Sequence, residues 1–218
     1  MENYINTDFK IRKYQQENRR AVREISVESS IWANYKDILL NDDIIADLLT
    51  SHFLEYEPQS CFVAEREGEV IGYLLGSCNV ANMRKVIIKK ILPGLAKKIF
   101  QDGLVFRVPN LKLGFNLFFS LIKGEFNIPD LTYSYPATLH VNIASPYRGK
   151  MLGSHLVEHF LIYLKEKGIK GIHFGVLSEK AKGFFLKLGF EVLYHGQYTF
   201  LHSFSGEILP HYIMGKKL

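Results

Sequence analysis

Ser145-Pro146-Tyr147-Arg148-Gly149-Lys150-Met151-Leu152-Gly153-Ser154 lies between an apolar strand pattern and an amphipathic helical one. A stretch of this kind builds a pyrophosphate cradle. A strand stops at a proline, a short glycine-bearing turn presents backbone N–H groups, and a helix starts with its positive dipole end at the same point. Arg148 and Lys150 add mobile positive charge, and Gly149 and Gly153 let backbone approach a ligand closely. Upstream, Ala137 to Ala144 alternates as a strand, with Leu139, Val141 and Ile143 on one face and Thr138, His140 and Asn142 on the other. Downstream, Leu152, Leu156, Phe160 and Leu164 form one helical stripe, which Gly168 stops.

The rest of the chain reads outward from this centre. Thr7 to Tyr14 alternates as a first strand, and Asn18 is placed to cap a helix carrying Ala21, Val22 and Ile25. Asp42 to Leu54 is a second helical pattern, closed by Pro58. Cys61 to Arg66 and Glu69 to Ser77 read as a hairpin around Glu67-Gly68. Ile169 to Leu177 is a fifth strand, and Glu191 to Leu201 and Ile208 to Lys216 supply the last two. The segment from 80 to 136 interrupts this plan. One helical pattern runs through Met83, Val86, Ile87 and Ile91 to Pro93 and on toward Phe100, and another covers Leu113 to Lys123. Its apolar content is too high for a free linker, so it reads as a helical insertion packed on a single domain spanning 1–218.

Composition narrows the class. A chain of 218 residues that is 47% hydrophobic and 22% charged has ample material for one core. The net charge of +5 suits acidic ligands, but no basic patch is interleaved with a nucleic-acid recognition module. Cys61 and Cys78 fit neither metal spacing nor a disulfide framework, and no His, Asp or Glu cluster has metal-ligand spacing. Met1-Glu2-Asn3-Tyr4 lacks the profile of a signal peptide and no apolar run would cross a bilayer, so the expectation is a cytoplasmic protein without stable membrane insertion.

A second motif follows the cradle: Ser178-Glu179-Lys180-Ala181-Lys182-Gly183-Phe184-Phe185-Leu186-Lys187-Leu188-Gly189-Phe190. Together the two segments resemble the GNAT superfamily of acyl-CoA-dependent N-acetyltransferases. The family's loop pattern, a basic residue or Gln, two variable residues, Gly, one variable residue, then Gly or Ala, reads here Arg148, Met151 and Gly153. Its Asn-x-x-Ala-x-x-Phe-Tyr-x-x-x-Gly-Phe ending is read here from Ser178 to Phe190, with Ser178 for the Asn and Phe185 for the Tyr. The run from Tyr135 to Ile143 is further similar to bacterial proteins related to the acetyltransferase-like domain found with O-GlcNAcase. Those proteins share a Pro-Ala-x-Leu-His-Ile type strand and a helical insertion before it.

The resemblance implies an α/β (α+β mixed) fold, with a twisted mixed central sheet, helices on both faces and the helical insertion before the fourth strand. It implies acetyl-CoA as acyl-donor cosubstrate and an amine acceptor, with a homodimer allowed. Backbone groups of Val141 and Ile143 would pair with the pantetheine arm. Arg148, Gly149, Lys150, Met151, Leu152, Gly153 and Ser154 would hold the pyrophosphate. Met151 stands where the family prefers Gly, and a side chain there is comfortable only on helical backbone, since a positive φ would be strained. Ser178 stands where the family has a cofactor-binding Asn, and equally reads as a helix cap. Phe185 replaces a Tyr that protonates the departing thiolate, so Tyr194 or Tyr147 would have to supply that hydroxyl. On the polar face of the fourth strand, His140 is the candidate general base and Asn142 the candidate orienting group, with His173 a lesser partner. Phe115, Phe118, Phe119 and Tyr133 either line the acceptor entrance or, the favoured reading, form the insertion's core. Two other classes of function compete. One is a non-catalytic acyl-CoA-binding module. The other is a membrane-surface protein using Lys85, Lys89, Lys90, Lys97 and Lys98.

Overall fold

Glu67 and Gly68 hold φ of 52° and 85°. Two consecutive positive φ values make the tight turn that matches strand twist. The turn folds β2 (Cys61–Arg66) onto β3 (Glu69–Ser77) at the boundaries expected from sequence. The computed structural model describes residues 8–35 and 40–218. The expected strand start at Thr7 and the Met1–Tyr4 terminus lie outside them. β1 (Lys10–Lys13) pairs antiparallel with β2, and β4 (Thr138–Ile143) with β3. The register sets Tyr73 opposite Asn142 and Leu75 opposite His140.

A second antiparallel sheet holds β5 (Gly171–Val176), β7 (Leu209–Lys217) and β6 (Glu191–Tyr198), in that spatial order. The expected mixed sheet therefore exists as two antiparallel halves. They meet at one parallel bridge, Ala137 to Ile172, where Ala137 N–H donates to Gly171 O (3.2 Å) and His173 N–H to Ala137 O (2.9 Å). Beyond it, no further ladder joins β4 to β5 among the described residues.

Helices cover both faces. On one, α1 (Arg19–Glu28) sets Val22 and Ile25 against Val63, Tyr73 and Leu75, with α2 (Asp42–Ser51) outside it. Asn41 caps α2, its side chain accepting from Ile44 N–H at 2.9 Å, with Asp42 and Asp43 in the first turn. Asn18 precedes α1 as expected, but its side chain turns back to accept from Gln15 N–H and Arg12. On the other face, α6 (Leu152–Glu166) buries the whole expected stripe, and α7 (Glu179–Lys187) lies beside it. Burying a side chain such as Phe160 or Leu156 contributes about 1.5–3 kcal/mol each. Gly76 is required here: a Cβ would lie 2.2 Å from Phe160 Cζ and 2.8 Å from Ser60 O.

In the insertion, α3 (Val80–Val86) runs through a wide turn at Ile87–Ile91 into α4 (Leu92–Gln101), and α5 (Val108–Ile122) follows. Pro93 does not end the helical run. It sits in the first turn of α4, just past the wide turn, where its missing N–H costs little. α5 is pinned to the segment before and within α8 (His202–Ser205). Asn116 donates to Phe200 O (2.9 Å), Thr199 N–H donates to Glu125 (2.8 Å), and Leu113 packs on Phe200 and Leu201.

Candidate active site

Past the bridge at Ala137, β4 and β5 are unpaired among the described residues toward the end where α6 begins. Ala144 N–H donates to Ile71 O (3.0 Å), which fixes the alternation along β4. Residues 138, 140, 142 and 144 direct their backbone groups to β3, and Leu139, Val141 and Ile143 direct theirs into the gap facing β5. The expected backbone donors, Val141 and Ile143, thus face the opening. A short turn at Ser145–Tyr147 leads from the strand to the loop.

The loop is shaped by two left-handed residues. Gly149 has φ 81° and Met151 has φ 59° with ψ 0°. Met151 therefore keeps the backbone that glycine would supply, rather than the helical one its side chain prefers, at a cost of about 1–2 kcal/mol. It precedes α6, which has no side-chain cap, so the first N–H groups of α6 are turned outward without an intrahelical partner. Arg148 corrects one expectation. Its guanidinium is not mobile charge over the cradle, because Nε donates to Ile143 O (3.0 Å) and an Nη to Ser29 Oγ (3.0 Å). It ties the end of β4 to the end of α1. Lys150 lies over the Tyr147 ring at 5.7 Å and remains the loop's outward cation.

The second motif supports the loop from below. Ser178 Oγ caps α7, accepting from Ala181 N–H at 3.2 Å, so the cap reading holds. Phe185 is only 5% exposed, with ring centroids 4.4 Å from Phe174 and 5.5 Å from Phe190. This corrects its placement among cofactor contacts: Phe185 belongs to the core. Phe184 is the ring at the loop, since a Cβ on Gly153 would meet it at 3.3 Å. Gly153 thus lets α6 pack closely on Phe184, where a Cβ would press on the ring.

On the opposite face of β4, Asn142 gathers a cluster. Its Nδ2 donates to Tyr73 Oη (2.8 Å) and lies 3.1 Å from His140 Nε2. The assigned amide orientation makes His140 Nε2 the acceptor and leaves Nδ1 carrying the proton. Burial pushes the His140 pKa down to about 4 and raises that of Tyr73 to about 12. A free base near neutrality was expected at His140; its lone pair is instead held by Asn142. Tyr73 was missed from sequence, although its place in the alternation of β3 put it on this face. His173 is not a partner of His140. It is buried and hydrogen-bonded through Nδ1 to Tyr135 O (2.5 Å), stitching β5 to the start of β4. Tyr194 lies on β6 with its ring 6.2 Å from His211 and makes no hydrogen bond to the cluster. An open groove of about 1040 Å³ runs along α1, the start of α2 and Ser145–Pro146, lined by acidic and basic side chains including Glu24, Glu28 and Arg23. Phe115, Phe118, Phe119 and Tyr133 are exposed, so they are not the insertion's core.

A sheet split at its centre, with the start of α6 facing the split, belongs to a fold shared with solved N-acetyltransferase structures. Residues 124–190, the stretch that holds both sequence motifs, match the model of the acetyltransferase (GNAT) family. Solved structures share the fold over nearly full length. SsHAT matches with a TM-score of 0.70 at 20% identity, over 96% of this chain and 98% of that one. The ribosomal-protein-alanine N-acetyltransferase from Brucella melitensis matches at 0.54 and 19%, over 96% and 99%. The protein yncA from Salmonella typhimurium, solved with its cofactor acetyl-CoA, matches at 0.56 and 17%, over 96% and 94%.

Proposed function

We propose that the chain is an N-acetyltransferase that uses acetyl-CoA and acts by direct attack of an amine on the thioester. The observation that carries this reading is the gap between β4 and β5, edged by the backbone N–H and O of Val141 and the N–H of Ile143 and ending at the uncapped start of α6. These groups fit the cosubstrate: amide-pairing donors suit a pantetheine arm, and outward N–H groups with Lys150 suit a pyrophosphate. Acetyl-CoA supplies an acyl group activated as a thioester.

The protein's contribution is then mainly positional. Ile143 O is already taken by Arg148, which leaves Val141 N–H and O and Ile143 N–H to orient the arm. Asn142, held by Tyr73 and His140, presents its Oδ1 as an acceptor to the incoming amine. His140 positions Asn142 and removes no proton, because an imidazole with pKa near 4 is a poor base for an ammonium whose pKa is about 10.4. The acceptor would enter deprotonated, so the rate rises with pH toward the acceptor's own pKa. Phe185 cannot protonate the leaving sulfur. A thiol pKa of about 8.5 makes the thiolate a tolerable leaving group that needs no enzymic acid, and Tyr194, the sequence candidate for that role, sits on β6 with β7 between it and β5.

Thermal stability with and without acetyl-CoA tests the cradle, in the wild type and in Lys150→Glu. A ligand at about 100 times its Kd adds about 2.7 kcal/mol. A shift that weakens in Lys150→Glu, followed by thiol release with a panel of amines, supports the reading. Stabilisation without turnover on any amine would make the protein an acyl-CoA-binding module. No stabilisation at all would remove the cradle.

A further inference from the structure

α5 is built inside out. Its buried side is narrow, formed by Leu113 and Ser120 with Asn116 hydrogen-bonded beneath. At 100° per residue, the side directly opposite carries Val108, Leu111, Phe115, Phe118 and Ile122, and all five are exposed. Phe115 is 65% and Phe118 56% accessible. A helix on a protein surface normally shows water its polar side. The exposure continues next door, where Phe100 and Phe106 touch at 5.9 Å between centroids and both stand in solvent. An apolar groove of about 690 Å³ opens beside the stripe, lined by Trp32, Ile99, Leu111, Phe115 and Phe118 among others. Contiguous apolar surface of this kind marks an interaction site.

Charge selects the occupant. Between residues 80 and 136 there are nine Lys or Arg and three Asp or Glu, a net of +6, against +5 for the whole chain. The insertion therefore holds all of the molecule's positive excess. Lys85, Lys89, Lys97 and Arg107 have no carboxylate partner among the described residues. A second copy would bring two such faces together and set like charges against each other. No described helix is long and apolar enough to cross a membrane. The stripe on α5 and the unpaired cations of α3, α4 and the turn between them belong to one non-spanning insertion, and apolar side chains combined with an excess of lysine are the composition of an interfacial element.

We propose that the α5 face docks on an anionic lipid bilayer, with Phe115 and Phe118 entering the headgroup–acyl boundary and the insertion's lysines meeting lipid phosphates. This docking is independent of acyl transfer. The test is cosedimentation of the full chain with vesicles of phosphatidylcholine and phosphatidylglycerol at about 70:30, and of phosphatidylcholine alone, for wild type, Phe115→Ser/Phe118→Ser and Lys89→Glu/Lys97→Glu. All four side chains are exposed, so unchanged thermal midpoints certify the variants. The expected result is uptake of wild type by the anionic vesicles, weakened by salt and by the charge reversal, and at least tenfold lower for the double serine variant. Absence of wild-type uptake, or equal uptake by the serine variant, overturns the proposal. So does sedimentation velocity showing a dimer that the serine variant dissociates and that ignores vesicles, which would make the face a self-interface.

Discussion

Replacing Met151 by glycine isolates the strain at the head of α6. Its side chain is 67% exposed, so little packing is lost when it is removed. The backbone at φ 59° disfavours any side chain by about 1–2 kcal/mol. Glycine relieves that cost but gains unfolded-state freedom worth about 0.4–1 kcal/mol, which leaves a net stabilisation of about 0.5–1 kcal/mol. For a chain of this size about 2–4 °C accompanies each kcal/mol, so the midpoint should rise by about 1–4 °C. Met151→Ala is the control. It removes the side chain but keeps the Cβ, and should match wild type within error. Differential scanning calorimetry and urea titration read the same quantity independently. A glycine variant no more stable than wild type, or an alanine variant that gains equally, would refute the claim that left-handed backbone carries the cost. Acetyl-CoA stabilisation should persist in Met151→Gly, because the loop's N–H groups keep their directions.

Three other outcomes follow from particular contacts. His140 has a folded pKa near 4 against about 6.5 unfolded, so the unfolded chain binds the extra proton and stability falls as pH drops from about 6.5 to about 4. Over that window wild type should lose up to about 3 kcal/mol more than His140→Gln in paired urea titrations, and parallel curves would show that the ring is not desolvated. Gly76→Ala forces a Cβ against Phe160 and the Ser60 carbonyl and should cost about 3 kcal/mol in urea unfolding, whereas Gly149→Ala meets open space and pays only for its φ of 81°. If acyl transfer is confirmed, a rate that rises with pH up to the acceptor's pKa and lacks an inflection near 6.5 is expected, and an inflection there would restore His140 as base.

Much of the fold was legible because it is local. The hairpin at Glu67-Gly68 is written in two adjacent residues, and the α6 stripe in a spacing of four. The cradle is likewise contiguous from Ser145 to Ser154. What escaped was set across long separations. Ser29 and Arg148 meet over 119 positions, and no local pattern shows that this guanidinium points away from the loop. Asn142 reaches Tyr73 only because β3 and β4 share a register, and that contact decides what His140 can do. The wide turn at Ile87–Ile91 hides the phase of the insertion's helices, and a stripe of phenylalanines has the same period whether it faces the core or water.

The seam between the half-sheets gives β4 an edge inside the molecule. Exposed edges invite pairing with other chains. This one faces β5 across the seam, so an extended chain that entered there would lie between two strands. Joined to β5 among the described residues by the bridge at Ala137 and the His173–Tyr135 bond beside it, the two halves are held in register chiefly by the helices packed across them. Amide exchange should report this directly: Val141 and Ile143 exchanging far faster than Asn142 in the free protein, and slowing when an extended ligand takes the missing strand's place.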